Sequence, residues 1–214
     1  MTRTTAAVVV AFCLGHSPET TSQSPTAGSP VTPGVADVDL RRLPRLTPAP
    51  AGTPGRDVPD LRTERSGTAV TGGDFTVVAD ARGFTTRDRR TNTVTGPIRF
   101  GDLWPDVAEP CAVAVEWPLQ PAFDETAGRW LLAQTFQSLP DGTLPACVAV
   151  SRTADPTIGG WWLYSFALPQ PWPRPRFEVT SRDYAFVDVQ SNARLSLERA
   201  AMLAGRPVRP VLSP

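Results

Sequence analysis
The sequence predicts an all-β protein, built of short antiparallel sheets that follow an unstructured N-terminal tether. Three observations predict it. The 24 prolines and 16 glycines make up nearly a fifth of the 214 residues, so much of the chain cannot be helix interior or sheet centre. Every aromatic residue except Phe12 lies at or beyond Phe75. Beyond that point short apolar runs alternate with Gly, Pro, Asn and Asp turn signals, which is the pattern of short strands.

The N-terminal elements come first in the chain. Met1-Thr2-Arg3 carries one cation, Ala6 to Leu14 is an apolar run interrupted only by Cys13, and Gly15-His16-Ser17 turns polar. These are the parts of an export signal, and the nine residues of the run are too few to span a bilayer. Residues 1–14 are therefore expected to be a signal peptide, with the rest of the chain working outside the cytoplasm. Val10-Ala11-Phe12-Cys13 resembles the box of bacterial lipoprotein signals, except that Phe12 is bulky where the box is small. Cys13 is accordingly either a lipidation site, which would attach the protein to a membrane through a lipid anchor, or one more apolar residue of an ordinary cleaved signal. Residues 15–66 are rich in Pro, Ser, Thr, Gly and Ala, without aromatics or a sustained period. Such a segment buries too little apolar surface to offset its ordering entropy, so a disordered linker is expected, with the charged stretch Asp37 to Arg45 solvated.

Residues 67–214 are expected to fold as strands in three groups. The first group is Phe75–Ala79, Phe84–Arg87 and Thr93–Phe100, joined by the Asp80-Ala81-Arg82-Gly83 turn and the Arg90-Thr91-Asn92 bend. The second is Ala122–Asp124, Arg129–Phe136, Cys147–Ser151 and Trp161–Phe166; the third is Arg176–Thr180, Tyr184–Val189 and Arg194–Leu197. Only Glu198 to Ala204 reads as a helix, a short one stopped by Gly205 and Pro207. Groups recurring about every 45–50 residues suggest the blades of a β-propeller, an incomplete one since three blades do not close a ring. A β-sandwich is the alternative.

Charge and residue type exclude several functions. Lys+Arg and Asp+Glu balance at 21 each, and all the cations are arginine, so a nucleic-acid or other polyanion-binding role is not expected. The single histidine, His16, falls in the tether. Mechanisms built on a folded histidine, among them Ser-His-Asp and Cys-His nucleophiles and His-ligated zinc, are thereby set aside. Three cysteines without a Cys-x-x-Cys pair make no zinc site, and no phosphate-binding glycine loop is present.

Five motifs, in order, carry a resemblance. They are Asp124 to Leu131, Cys147 to Ser151, Thr153-Ala154-Asp155-Pro156-Thr157, Trp161 to Phe166, and Leu197 to Gly205 with its Met202-Leu203-Ala204-Gly205 end. From about Asp74 onward the chain resembles a family of large secreted bacterial proteins, mostly uncharacterised and expected to be β-propellers. The resemblance implies a truncated member, because that family continues for several more blades. It departs at Val115 to Pro121, where the family carries an acidic segment, which leaves any metal or substrate role of that segment in doubt. The resemblance, together with export, also implies a disulfide between Cys111 and Cys147. The alternative is a buried Cys147 and a loop thiol at Cys111.

Candidate site residues follow from these readings. The hairpin from Asp124 to Trp130 resembles the Asp-box turns of some glycosidase propellers, so Asp124 is expected to cap its turn, as is Asp155. Calcium is the rival, with Glu125 and Asp155 as further ligands. Trp104, Trp117, Trp162 and Trp172 are candidate ligand contacts, able to stack on sugar rings or proline-rich peptides, with core packing as the alternative for each. Because Trp161 and Trp162 are adjacent in one strand they must point to opposite faces. No catalytic residue, cofactor site or metal site is assigned. The leading expectation is an exported, non-catalytic scaffold for a protein or glycan partner. Its rival is a carbohydrate-active hydrolase drawing on carboxylates such as Asp102, Asp106, Glu109 and Glu116.

Overall fold
Alternation of buried and exposed residues, read along each strand, explains how the sheets are layered. In the computed structural model, residues 26–43, 67–80, 83–105, 110–113, 118–136, 144–168, 172 and 175–214 are described. An N-terminal arm contributes β1 (Thr26–Ala27), β2 (Gly34–Ala36) and a 3-10 turn at Leu40–Arg42. A first meander follows: β3 (Thr68–Gly72), β4 (Phe75–Ala79), β5 (Phe84–Asp88) and β6 (Val94–Ile98). Past a 3-10 turn at Phe100–Leu103 and the short helix α1 (Pro110–Val113) comes a second: β7 (Gln120–Asp124), β8 (Arg129–Thr135), β9 (Leu144–Ser151) and β10 (Trp161–Leu168). The third is β11 (Arg176–Val179), β12 (Asp183–Val187), β13 (Arg194–Glu198) and β14 (Val211–Ser213), with helix α2 (Arg199–Leu203) after β13. The described fold is thus all-β, with antiparallel sheets and little helix.

The second sheet is the middle layer. Trp130, Leu132, Cys147, Ala149, Trp161 and Leu163 face a core shared with Phe75, Val77, Phe84 and Ile98 of the first sheet. The alternate residues Leu131, Ala133, Val148, Val150, Tyr164 and Phe166 face a second core shared with Phe177, Tyr184, Phe186, Leu195 and Leu197 of the third. A strand covered on both faces is apolar along most of its length, and β9, buried at every position, is apolar except for Ser151. The strands of the first sheet are covered on one face and alternate: in β4, Phe75, Val77 and Ala79 are buried while Val78 is exposed. The outward side of the third sheet carries an ion network, in which Arg194 donates to Glu178 at 2.8 Å and to Asp183 at 2.9 Å while Arg176 pairs with Glu178. The outward side of the first sheet is mostly uncharged, with Thr71 and Thr76 in hydrogen-bond contact at 3.0 Å.

The leading strands of the meanders lie together, with β7 touching both β3 and β11. At the first junction Gly72 leaves room for the Phe123 ring, which a Cβ would overlap. At the second, the Gln120 side chain donates to the Pro175 carbonyl at 3.0 Å and accepts from the Phe177 N–H at 2.8 Å. That one amide closes a gap between sheets where no strand ladder exists, satisfying two buried backbone groups.

The arm departs from the expected linker. β1 pairs antiparallel with β14, Val31 and Val208 exchange both backbone hydrogen bonds at 2.7 and 2.9 Å, and β2 pairs antiparallel with β10. Leu40, only 1% exposed, then enters the core between the first and second sheets. The composition of residues 26–43 concealed this because strand pairing uses the backbone, which every sequence carries. The rest of the expected linker, and the expected signal segment with Cys13, lie outside the described residues.

Candidate functional site
The most interconnected polar group is Asp124, at the tip of the β7–β8 hairpin. Its Oδ1 accepts the Ala127 N–H at 2.9 Å, and Gly128, at φ 61°, closes the turn by donating to the Asp124 carbonyl at 2.8 Å. Its Oδ2 accepts the Tyr184 hydroxyl at 2.7 Å and Arg199 Nε at 2.6 Å, while Arg199 Nη2 donates to Oδ1 at 2.9 Å. Burial acts to raise the carboxyl's pKa, yet the Arg199 guanidinium, the Ala127 N–H and the Tyr184 hydroxyl outweigh it and hold the pKa below the usual range. The Tyr184 hydroxyl is pushed far up, by burial first and the neighbouring carboxylate second. A carboxylate whose oxygens already accept four hydrogen bonds is a structural anion. It binds the second sheet to α2 and β12 of the third.

Among the described residues the same kind of capped turn recurs at Asp88 and Asp188. Asp88 accepts from the Arg90 and Thr91 N–H groups at 2.8 and 3.1 Å, and Asp188 from the Ser191 N–H at 3.0 Å. The residue four positions after each aspartate, Asn92 or Asn192, has φ near 60°, matching Gly128. Aspartate followed four residues on by Asn or Gly is the signal that would have found Asp88 and Asp188 in the sequence. The three turns link β5 to β6, β7 to β8 and β12 to β13, so they are a local device and do not mark equivalent places in the meanders.

Asp155 makes its turn by accepting the Thr157 N–H at 2.8 Å and the Thr157 hydroxyl at 2.6 Å. The loop it belongs to, residues 152–160, receives the arm. The Thr157 carbonyl accepts the Leu40 N–H at 3.0 Å, and Arg152 pairs with Asp37. The Arg152 guanidinium also lies 4.8 Å from the centroid of the Trp162 ring, which Gly205 meets as well. Asp37 to Leu43 is therefore a docked segment, where the sequence suggested a solvated one.

The tryptophans divide as their strand positions require. Trp161 is core at 1% exposed, and Trp162, on the opposite face, is half-buried. Trp104 packs edge-on against Phe100 and, like Trp172, is 7% exposed, which leaves neither ring a free stacking face. Trp117 lies outside the described residues. Of the candidate carboxylates, Asp102 pairs with Arg99 at 2.6 Å, Asp124 with Arg199, and Asp155 with its own turn, so none of them shares a partner. Asp106, Glu109 and Glu116 lie outside the described residues. Glu125 is exposed at the hairpin tip, and among the described residues no group of three or more His, Cys, Asp or Glu side chains is placed to hold calcium or another metal.

Cys111 of α1 and Cys147 of β9 are joined by a disulfide with Cα atoms 5.9 Å apart, both fully buried. The bridge ties the segment following the first meander to the middle sheet. Among the described residues no helix is long and apolar enough to cross a membrane. Comparison with protein-family models, with curated proteins and with solved structures finds no match.

Proposed function
We propose that the protein is an exported, non-catalytic interaction scaffold whose three meanders are propeller-like blades. The observation that carries this reading is the employment of three candidate carboxylates among the described residues: Asp102, Asp124 and Asp155 are each consumed by an ion pair or a turn. Glycoside hydrolysis needs two carboxyl groups roughly 5–10 Å apart across an open site, one of them free to donate a proton. A carboxylate under a bidentate arginine cannot do that work. Adjacent leading strands and a middle sheet buried on both faces support the blade reading. The Cys111–Cys147 bridge supports an oxidising compartment.

Two assays test the proposal on the full chain expressed with its own N-terminus. Mass analysis of the exported fraction is expected to find a chain cleaved near residue 14; a chain retained in the cytoplasm with Met1 intact overturns export. Incubation with a panel of aryl glycosides is expected to give no release above blank. Hydrolysis that Asp102→Asn abolishes would overturn the non-catalytic reading.

A further inference from the structure
The arm contacts the body through a compact set of features that together read as a ligand in its site. Gly34, Val35 and Ala36 pair with Leu163, Trp162 and Trp161 along the outer edge of β10. Ala36 is buried, Val35 points outward at 43% exposed, Asp37 reaches Arg152, and Leu40 fills a slot between two sheets. The receiving loop is shaped for this segment. Gly160 has φ 79°, and a Cβ there would overlap the Ala36 carbonyl oxygen, so both its conformation and its closeness to the arm call for glycine. Arg152 is held over Trp162 where it meets Asp37.

We propose that the outer edge of β10, the 152–160 loop and the Leu40 slot form a binding site for an extended peptide of the form x-x-small-Asp-x-x-Leu, filled by the chain's own residues 34–40, and that the site accepts the same segment from a second copy. Main-chain pairing supplies the affinity of such sites, and the side-chain pockets supply their selectivity. Leu43 and Thr68 are separated by the 24 residues 44–67. At about 3.3–3.6 Å per residue that connection reaches on the order of 80 Å, enough to seat the arm on its own body or on a neighbour's. Both arrangements make the same contacts, so they differ only in the connection and in concentration. The tethered arm acts at an effective concentration in the mM range, which keeps the arm at home in dilute solution and lets it exchange when the protein approaches that range. The site is a property of the body and stands apart from the export and scaffold readings, which survive its failure.

Reciprocal charge exchange tests it in the full chain. Asp37→Arg and Arg152→Asp each set like charges face to face when the arm is on its own body. Mixing the two variants restores an opposite-charge pair at both sites of an exchanged dimer. After incubation at about 1 mM and dilution, light scattering and pull-down through different tags are expected to recover mixed dimers at three- to tenfold the yield of either variant alone, since an exposed pair contributes modestly. Adding Leu40→Ala to both variants is expected to cut that yield at least tenfold. A second measurement is independent of those variants' folding. A fluorescent peptide of residues 30–43 is expected to bind the chain, once cut at a protease site placed within residues 44–66, at least a hundredfold more tightly than the uncut chain. Mixed dimers no more abundant than homotypic ones, yield insensitive to Leu40→Ala, or a cut chain that takes up no peptide would each overturn the proposal.

Discussion

Asp124 is a buried anion whose worth depends on its partners keeping their charge and geometry. Its side chain is 4% exposed and that of Arg199 is 16% exposed, so truncating one strands the other in a poorly solvated place. Asp124→Ala is expected to destabilise the protein by about 3–5 kcal/mol, measured by urea unfolding at pH 7. The pH dependence has a definite sign. A carboxyl whose folded pKa lies below its unfolded value of about 3.9 contributes stability above that pH and loses it as the pH falls through the folded value. Between pH 5 and pH 2 the wild type should therefore lose more unfolding free energy than Asp124→Asn, whose amide does not titrate in that window. Equal losses would remove Asp124 from the acid response and leave it to the other carboxyls held low, Glu178, Asp183, Asp39, Asp88 and Asp188. The Gln120 side chain also joins two sheets. Gln120→Ala leaves the Phe177 N–H and Pro175 carbonyl unmatched and is expected to cost about 1–3 kcal/mol by the same measurement.

Elements differ in how much of their stability is their own. β9 is fully buried and paired on both sides, and its amides should exchange hydrogen only on global unfolding. The arm holds on through short pairings, one ion pair and Leu40, which makes it a separate, weaker unit. Leu40→Ala removes a fully buried side chain, a change that costs about 2–5 kcal/mol in a core. In this protein the cost is limited to the free energy of arm docking. Hydrogen exchange on Leu40→Ala is expected to accelerate at the Gly28 and Val31 amides and to stay unchanged at β8 and β9. Acceleration throughout the middle sheet would mean that the arm folds as one unit with the sheets. The main strand runs were legible in advance because local pattern and tertiary role coincide in them. Cys147–Ser151 and Trp161–Phe166 are apolar enough to be strands whichever layer receives them. β3, β1 and β14 were not legible, since Thr68–Gly72, Thr26–Ala27 and Val211–Ser213 are too short or too polar to stand out as apolar runs and become strands by lying against a partner.

At the scale of the molecule the layers are held by two cores and one covalent tie. Cys111 and Cys147 close a loop of 36 residues, which in the chain-entropy treatment contributes on the order of 3–4 kcal/mol. For a chain of this length each kcal/mol moves the melting temperature by about 2–4 °C, so the double variant Cys111→Ala/Cys147→Ala should melt roughly 6–16 °C lower. A calorimetric shift below about 2 °C would show that the segment around α1 is held by packing alone.

The sequence by itself determined the all-β class, the position of most strands, the turn at Asp124 and the opposite facing of Trp161 and Trp162. These depend on side-chain alternation and on turn chemistry within a few residues, both of which are local. Only the tertiary structure decided which sheet lies in the middle, where the arm docks and what Asp124 does. Tyr184 and Arg199 stand 60 and 75 residues away from that aspartate, and the arm meets β10 through backbone groups common to every residue. No local pattern records either meeting, because each comes into being only when the sheets stack and bring distant groups within hydrogen-bonding distance.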